Sequence, residues 1–306
     1  MHQLPRPATH PLKHLLAAAL CLAPAAALAE GIVFVHDASI YIDAKEKPLL
    51  APEGVACAEN GTLVVGDTGN HRLVLYTFRD GRLEGGTEVK LAQLTSPVRL
   101  QISSKGELLA LDGRTRRIVK VAADGSFGGL LEPKGLEGPG EPVIGAFKLD
   151  AGDNAWLLDI AGRRVLVLDA TGKVTRQVKL PAVSGTVTDI AVDLAGTLYA
   201  VDGVGGAVWV ADKGAAEVKL LVKDLKEKMS FPGYLTVAKA RIFLVDQNGS
   251  GIVLLGVDGS YQGRQLSIGW NDGLVNYPAQ LCLTEAGTAF VADRFNNRVQ
   301  VFTTSR

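Results

Sequence analysis

An all-β ring of six repeated units is predicted by three observations in this 306-residue sequence. An apolar run ending in Asp recurs six times, at Asp67, Asp112, Asp159, Asp202, Asp246 and Asp293. The intervals of 45, 47, 43, 44 and 47 residues are what four short antiparallel strands and their turns occupy, the size of one propeller blade. The grammar inside each unit is also constant, since a further apolar strand follows the Asp after about five residues of turn.

Taken in chain order, residues 1–29 carry Arg6, Lys13 and His14, then the apolar run from Leu15 to Ala23, then a small-residue end at Ala27, Leu28 and Ala29. That order reads as a secretory signal peptide, with an apolar part too short for the roughly 20 residues of a membrane span. The expected division is a signal over 1–29, cleaved after Ala29, and a propeller over 30–306, located in a periplasm or secreted. Without the signal, 30 Lys and Arg face 32 Asp and Glu, a net charge of −2. A duplex-binding protein needs a basic surplus to neutralise phosphates, so nucleic acid is not the expected partner. Only His36, His71, Cys57 and Cys282 then remain of their types, a poor inventory for zinc.

The segment Ile32 to Ile42 has strand composition, and the sixth unit ends at Arg306 directly after its third strand. The N-terminal segment is therefore expected to supply the outermost strand of the last blade, pairing the two chain ends and removing an exposed edge. Second strands are the apolar runs ending in Asp. Third strands are expected at Leu73 to Tyr76, Ile118 to Val121, Val165 to Leu168, Val208 to Val210, Ile252 to Leu255 and Val299 to Phe302. Inner strands are visible at Gly54 to Ala58, Ile190 to Asp193 and Leu235 to Val237, and outer strands at Val89 to Leu91, Val174 to Leu180 and Val218 to Val222. A Gly or Asn turn precedes the second strand in every unit except the fifth.

The first and last units, Pro52 to Phe78 and Tyr277 to Phe302, resemble the NHL repeat. They show its Pro before an apolar strand, its apolar strand ending in Asp, and its Asn and Arg before a third strand. Asn70, His71 and Leu73 reproduce the residues behind the family's name, whereas the four middle units are degenerate. The resemblance implies a six-bladed β-propeller with long linkers between some blades. Gly128 to Gly145 and Gly263 to Pro278 are the expected linkers; both are placed on the face where inner strands begin, here called the top face.

Each repeated Asp, with the Arg that follows it in some units, flanks the same turn. A feature repeated around a ring serves the repeat, so these residues and His71 are read as bracing a turn. Cys57 and Cys282 lie on inner strands that ring closure makes neighbours, and the sequence leaves a disulfide and two buried thiols both open. Inner-strand positions matching Gly54 are Arg99, Ala146, Asp189, Tyr234 and Gln280, with Glu53 just before. The expected function is non-catalytic binding of a protein or small polar ligand on the top face by a monomer. The expected contacts are Glu53, Arg99, Asp189, Tyr234, Trp270 and Gln280, the reading of the same positions as a solvated rim being left open. No cofactor is expected. Calcium is the weaker alternative, since lactonase propellers of this kind hold it with carboxylates and Asn, and here only Glu53 and Asp189 stand at matching places. The alternative function is a lactonase-like hydrolase or a lyase acting at the axial channel.

Overall fold

The computed structural model describes residues 1–2, 31–136, 140–182 and 185–305. The expected signal peptide lies outside the described residues. From Gly31 onward the chain forms one compact unit. Its first strand, β1 (Val33–Ile40), is set aside for the last blade. Blade 1 is β2 (Gly54–Cys57), β3 (Thr62–Asp67), β4 (Arg72–Arg79) and β5 (Arg82–Val89), and blade 2 is β6 (Pro97–Ile102), β7 (Leu108–Asp112), β8 (Ile118–Val121) and β9 (Phe127–Leu131). Blade 3 is β10 (Ile144–Leu149), β11 (Ala155–Asp159), β12 (Arg164–Leu168) and β13 (Val174–Lys179), and blade 4 is β14 (Val187–Val192), β15 (Leu198–Asp202), β16 (Ala207–Ala211) and β17 (Lys219–Val222). Blade 5 is β18 (Pro232–Ala238), β19 (Arg241–Asp246), β20 (Gly251–Gly256) and β21 (Tyr261–Gln265). Blade 6 is β22 (Pro278–Leu283), β23 (Thr288–Asp293), β24 (Arg298–Ser305) and, outermost, β1. The fold is a six-bladed β-propeller, and all six repeated Asp residues end the second strand of their blade.

Closure follows the expected route. β1 runs antiparallel to β24 from Val33 opposite Ser305 to Ile40 opposite Val299, so the first and last strands of the ring share a sheet. The seam between blades 6 and 1 carries a covalent bond as well: Cys57 on β2 and Cys282 on β22 form a disulfide, with Cα atoms 5.9 Å apart. The two side chains project from opposite faces of neighbouring blades, and these are the faces that look at each other. Cross-linking positions 225 residues apart removes a large loop entropy from the unfolded chain, about 5 kcal/mol in the chain-entropy account.

Among the described residues, the apolar core is divided among the blade interfaces. Six apolar clusters each fill one interface between adjacent blades, such as Leu63, Val65 and Val74 of blade 1 against Phe290, Val299 and Val301 of blade 6. On the other face of blade 1, Val64 and Leu73 pack against Leu100, Ala110 and Val119 of blade 2. Each second strand is therefore covered on both faces, which is why it reads as a continuous apolar run rather than an alternating one.

Two strand expectations need correction. The outer strand of blade 1 is β5, not Val89 to Leu91; it is mostly exposed and contains Gly85 and Gly86, so no apolar alternation marks it. It is set instead by the Asp80–Gly81 turn, with φ of +49° and +73°, a hairpin pair whose twist suits antiparallel strands. The Gly-rich linkers are also shorter than expected, because Gly128 and Gly129 belong to β9 and Gly263 to β21.

Candidate functional site

The six turns after the second strands are built alike. Every repeated Asp is at most 3% exposed. Each accepts a backbone hydrogen bond from the linker arriving from the preceding blade: Leu50 to Asp67, Ser96 to Asp112, Val143 to Asp159, Thr186 to Asp202, Phe231 to Asp246 and Asn276 to Asp293, at 2.7 to 3.1 Å. A short polar side chain thus fastens linker to blade six times, which is the bracing role. The fourth residue after each repeated Asp is left-handed, with φ from +50° to +68° at His71, Arg116, Arg163, Gly206, Ser250 and Asn297. His71 has this turn position, and its ring nitrogen lies 2.6 Å from the Thr95 carbonyl.

Three arginines of the pattern, Arg72, Arg164 and Arg298, behave as braces. Arg72, fully buried, donates to Asp67 at 2.6 Å and Glu88 at 2.7 Å and pairs with Asp43 of the β1–β2 linker. Arg298 donates to Asp293 at 2.8 Å and to Asp272 at 2.9 Å, and Arg164 to Asp159 at 2.9 Å. Blade 5 lacks the Arg in its turn, yet Asp246 is paired at 2.8 Å by Arg264 from the outermost strand β21. In blade 2, Arg117 is exposed and Asp112 is held by the amides of Thr95, Ser96, Arg114 and Thr115. Burial works against ionised Asp112, but these hydrogen bonds hold its carboxyl below the usual value.

The axis is closed, not open. In blades 2 to 6 the register of the innermost strand shifts near its start, a bulge in the ladder. Arg99 of blade 2 donates to the Gly233 carbonyl of blade 5 at 2.7 Å. Lys148 of blade 3 donates to the Leu235 carbonyl at 2.7 Å, lies 3.1 Å from Asp189 of blade 4 and sits 3.5 Å from the centre of the Tyr234 ring. Gln280 of blade 6 donates to the Leu100 carbonyl at 2.9 Å and accepts from the Leu100 amide at 3.1 Å. Asp189, Tyr234 and Gln280 are 0%, 3% and 1% exposed. They tie blades together across the ring, so neither the ligand clamp nor the solvated rim describes them. Truncating Tyr234 would damage the fold rather than a contact surface.

Above this plug, on the top face, lies a cavity of about 290 Å³. Arg99 lines it, together with Arg114 and Arg116 from the turn of blade 2, Arg294 from the turn of blade 6, and Glu53, Gln247 and Tyr277. Arg294 is 3.3 Å from Glu53 and its guanidinium lies 5.4 Å over the Tyr277 ring, which stacks on exposed Phe295. The Nε atom of Arg99 is buried without a hydrogen-bond partner, and that of Arg294 has only the Glu53 carboxylate, at 3.3 Å. Trp270 is 75% exposed on the 266–277 linker and stands outside this cavity.

Of the six expected contacts, then, only Glu53 and Arg99 meet at the mouth. Arg114, Arg116, Arg294 and, in the plug, Lys148 were missed. A signal existed for two of them: blade 2 places Arg114, Arg116 and Arg117 in one turn where the pattern asks for a single Arg. Calcium does not fit the expected pair, because Glu53 faces Arg294 and Asp189 faces Lys148, and each carboxylate would have to exchange its cation for the metal. Among the described residues no three His, Cys, Asp or Glu side chains converge as metal ligands, and no helix is long and apolar enough to cross a membrane.

No protein-family profile matches the chain, and no curated protein matches it by sequence. Solved structures do. Virginiamycin B lyase from Staphylococcus aureus is similar with a TM-score of 0.61 at 15% identity, over 83% of this chain and 94% of that one. A gluconolactonase from Xanthomonas campestris is similar with a TM-score of 0.62 at 13% identity, over 90% and 95%. A protein of unknown function from Bacteroides thetaiotaomicron reaches a TM-score of 0.64 at 14% identity, over 89% and 73%. At these identities the likeness concerns the propeller fold alone.

Proposed function

We propose that this chain is an extracytoplasmic NHL-type propeller, exported by the 1–29 signal, that binds a protein or small polar ligand on its top face as a monomer and without turnover. The observation that carries the reading is the mouth itself: four arginines converge with one carboxylate above an axis sealed by Lys148, Asp189, Tyr234 and Gln280. Such a surface offers recognition groups at its centre, where binding energy concentrates. Exposed Trp270 and Phe295, 75% and 54% accessible on neighbouring segments joined by the Asn296 to Gly269 hydrogen bond, extend it outward as an aromatic rim. The lyase and hydrolase alternatives have only the shared fold in their favour.

Capture from the native extracytoplasmic fraction tests this. The Arg114→Glu/Trp270→Ala variant should lose the partner, while Asp80→Lys/Asp124→Lys on the opposite face should retain it. The reverse pattern would place the working surface on the other face.

A further inference from the structure

We infer that the top-face mouth is a site for a compact oxyanion carrying two or more negative charges, of the phosphate monoester or polycarboxylate kind. The inference rests on the top-face reading above and names its ligand. It begins from how arginines are treated elsewhere on the same face. Arg72, Arg164, Arg264 and Arg298 each pair with the Asp of a blade turn. The mouth arginines are not neutralised in this way. Among the described residues, Arg114 and Arg116 have no carboxylate within ion-pair distance, and Arg99 donates only to the backbone carbonyls of Val98 and Gly233. Arg294 has Glu53 at 3.3 Å. Among the described residues, four guanidinium groups against one carboxylate leave the cavity lining with a charge of +3.

The placement suits a ligand better than a structural role. Arg99 forms the floor, fixed by its two carbonyl contacts and by the Tyr234 ring 5.5 Å from its guanidinium carbon. Its Nε–H, buried and unpaired, remains a donor, whereas that of Arg294 faces the Glu53 carboxylate at 3.3 Å. Arg114 and Arg116 are exposed on their turn, so they can close over an occupant from above. Planar forks of N–H donors match the paired oxygens of carboxylate and phosphate, and hydrogen bonds between charged partners are the strong ones. The cavity, about 290 Å³, is at the small end of ligand sites, which fits a compact anion and is too small for a nucleic-acid duplex. Glu53 offsets one of the four guanidinium charges, and in a lining that remains positive a dianion gains more Coulomb energy than a monoanion.

The experiment is calorimetric titration of the purified protein, at low ionic strength, with citrate and separately with inorganic phosphate. One-to-one binding is expected, weakened by added salt, and weakened about tenfold or more by Arg114→Glu/Arg116→Glu. Arg82→Glu on the opposite face should change affinity by no more than about twofold, as expected for a remote surface substitution. Tighter binding of phosphate assigns the phosphate ester class, and tighter binding of citrate the polycarboxylate class. The inference is overturned if neither anion binds at about 10 mM, an affinity weaker than roughly 3 kcal/mol, or if the double variant binds both as the unaltered protein does. Should it fall while partner capture is still lost in the Arg114→Glu/Trp270→Ala variant, the top-face reading stands and only the ligand class is wrong.

Discussion

Arg72 of blade 1 and Arg116 of blade 2 stand one position apart in equivalent turns, yet they live in different chemistry. Arg72 is buried against Asp43, Asp67 and Glu88, whereas Arg116 is exposed and, among the described residues, has no carboxylate within ion-pair distance. A buried guanidinium must be fully paired, because an uncompensated charge out of water costs several kcal/mol. An exposed one carries no such demand and is free to meet something from outside. The contrast separates residues that serve the repeat from residues that serve a ligand, on one face and within one turn type.

The largest effect should come from breaking the brace. Arg72→Met leaves Asp43 and Asp67 buried without their cation and should cost about 3–5 kcal/mol in equilibrium denaturation. A loss below about 1 kcal/mol would mean that the buried network is not what holds this turn, and the contrast would collapse.

Acid should act on the same side of the comparison. Burial opposes the charge on Asp43, but hydrogen bonds from the Lys47 amide, from Arg72 and from the Lys45 amide outweigh it and hold the carboxyl below its usual value. The Arg72 hydrogen bond lowers Glu88 as well. Groups depressed in the folded state contribute stability that is fully present above the unfolded values, about 4 to 4.5, and that is lost as pH falls through the lower folded values. The melting temperature should therefore fall below about pH 4, and Arg72→Met should flatten that fall. An equally steep acid limb in the variant would assign it to other carboxylates.

The smallest effect should run the other way. Arg116 sits at φ +58°, where glycine is at ease and a side chain is strained. Arg116→Gly should raise stability by up to about 1 kcal/mol in thermal unfolding while weakening anion binding. A destabilised variant would show that Arg116 serves its turn after all.

What the sequence disclosed follows the same division. The six Asp positions and third strands were legible because both faces of each second strand are covered by neighbouring blades, leaving an unbroken apolar run. The closing strand was legible because the sixth unit lacked a partner that Ile32 to Ile42 could supply. Strand β5 was not, since its place is set by a two-residue turn and by pairing with β4 rather than by its own composition. In blade 5 the Lys239–Ala240 turn, with φ of +50° and +54°, carries neither Gly nor Asn, so no turn signal was present to read. Arg264 replaces a missing brace from another strand, a substitution visible only in space. The site was read least well because its contacts join residues of different blades across the ring. The sequence placed Asp189, Tyr234 and Gln280 at the matching positions, but whether such residues bind a ligand or one another depends on what lies across the ring.

If the mouth arginines are there for a ligand and not for the fold, thermal unfolding of Arg114→Glu/Arg116→Glu with and without citrate will show it. The variant should melt within about 2 °C of the unaltered protein when no anion is present, and should lose the citrate-induced rise that the unaltered protein shows. A variant that melts many degrees lower without citrate, or that is stabilised by citrate to the same extent, would contradict that ligand role.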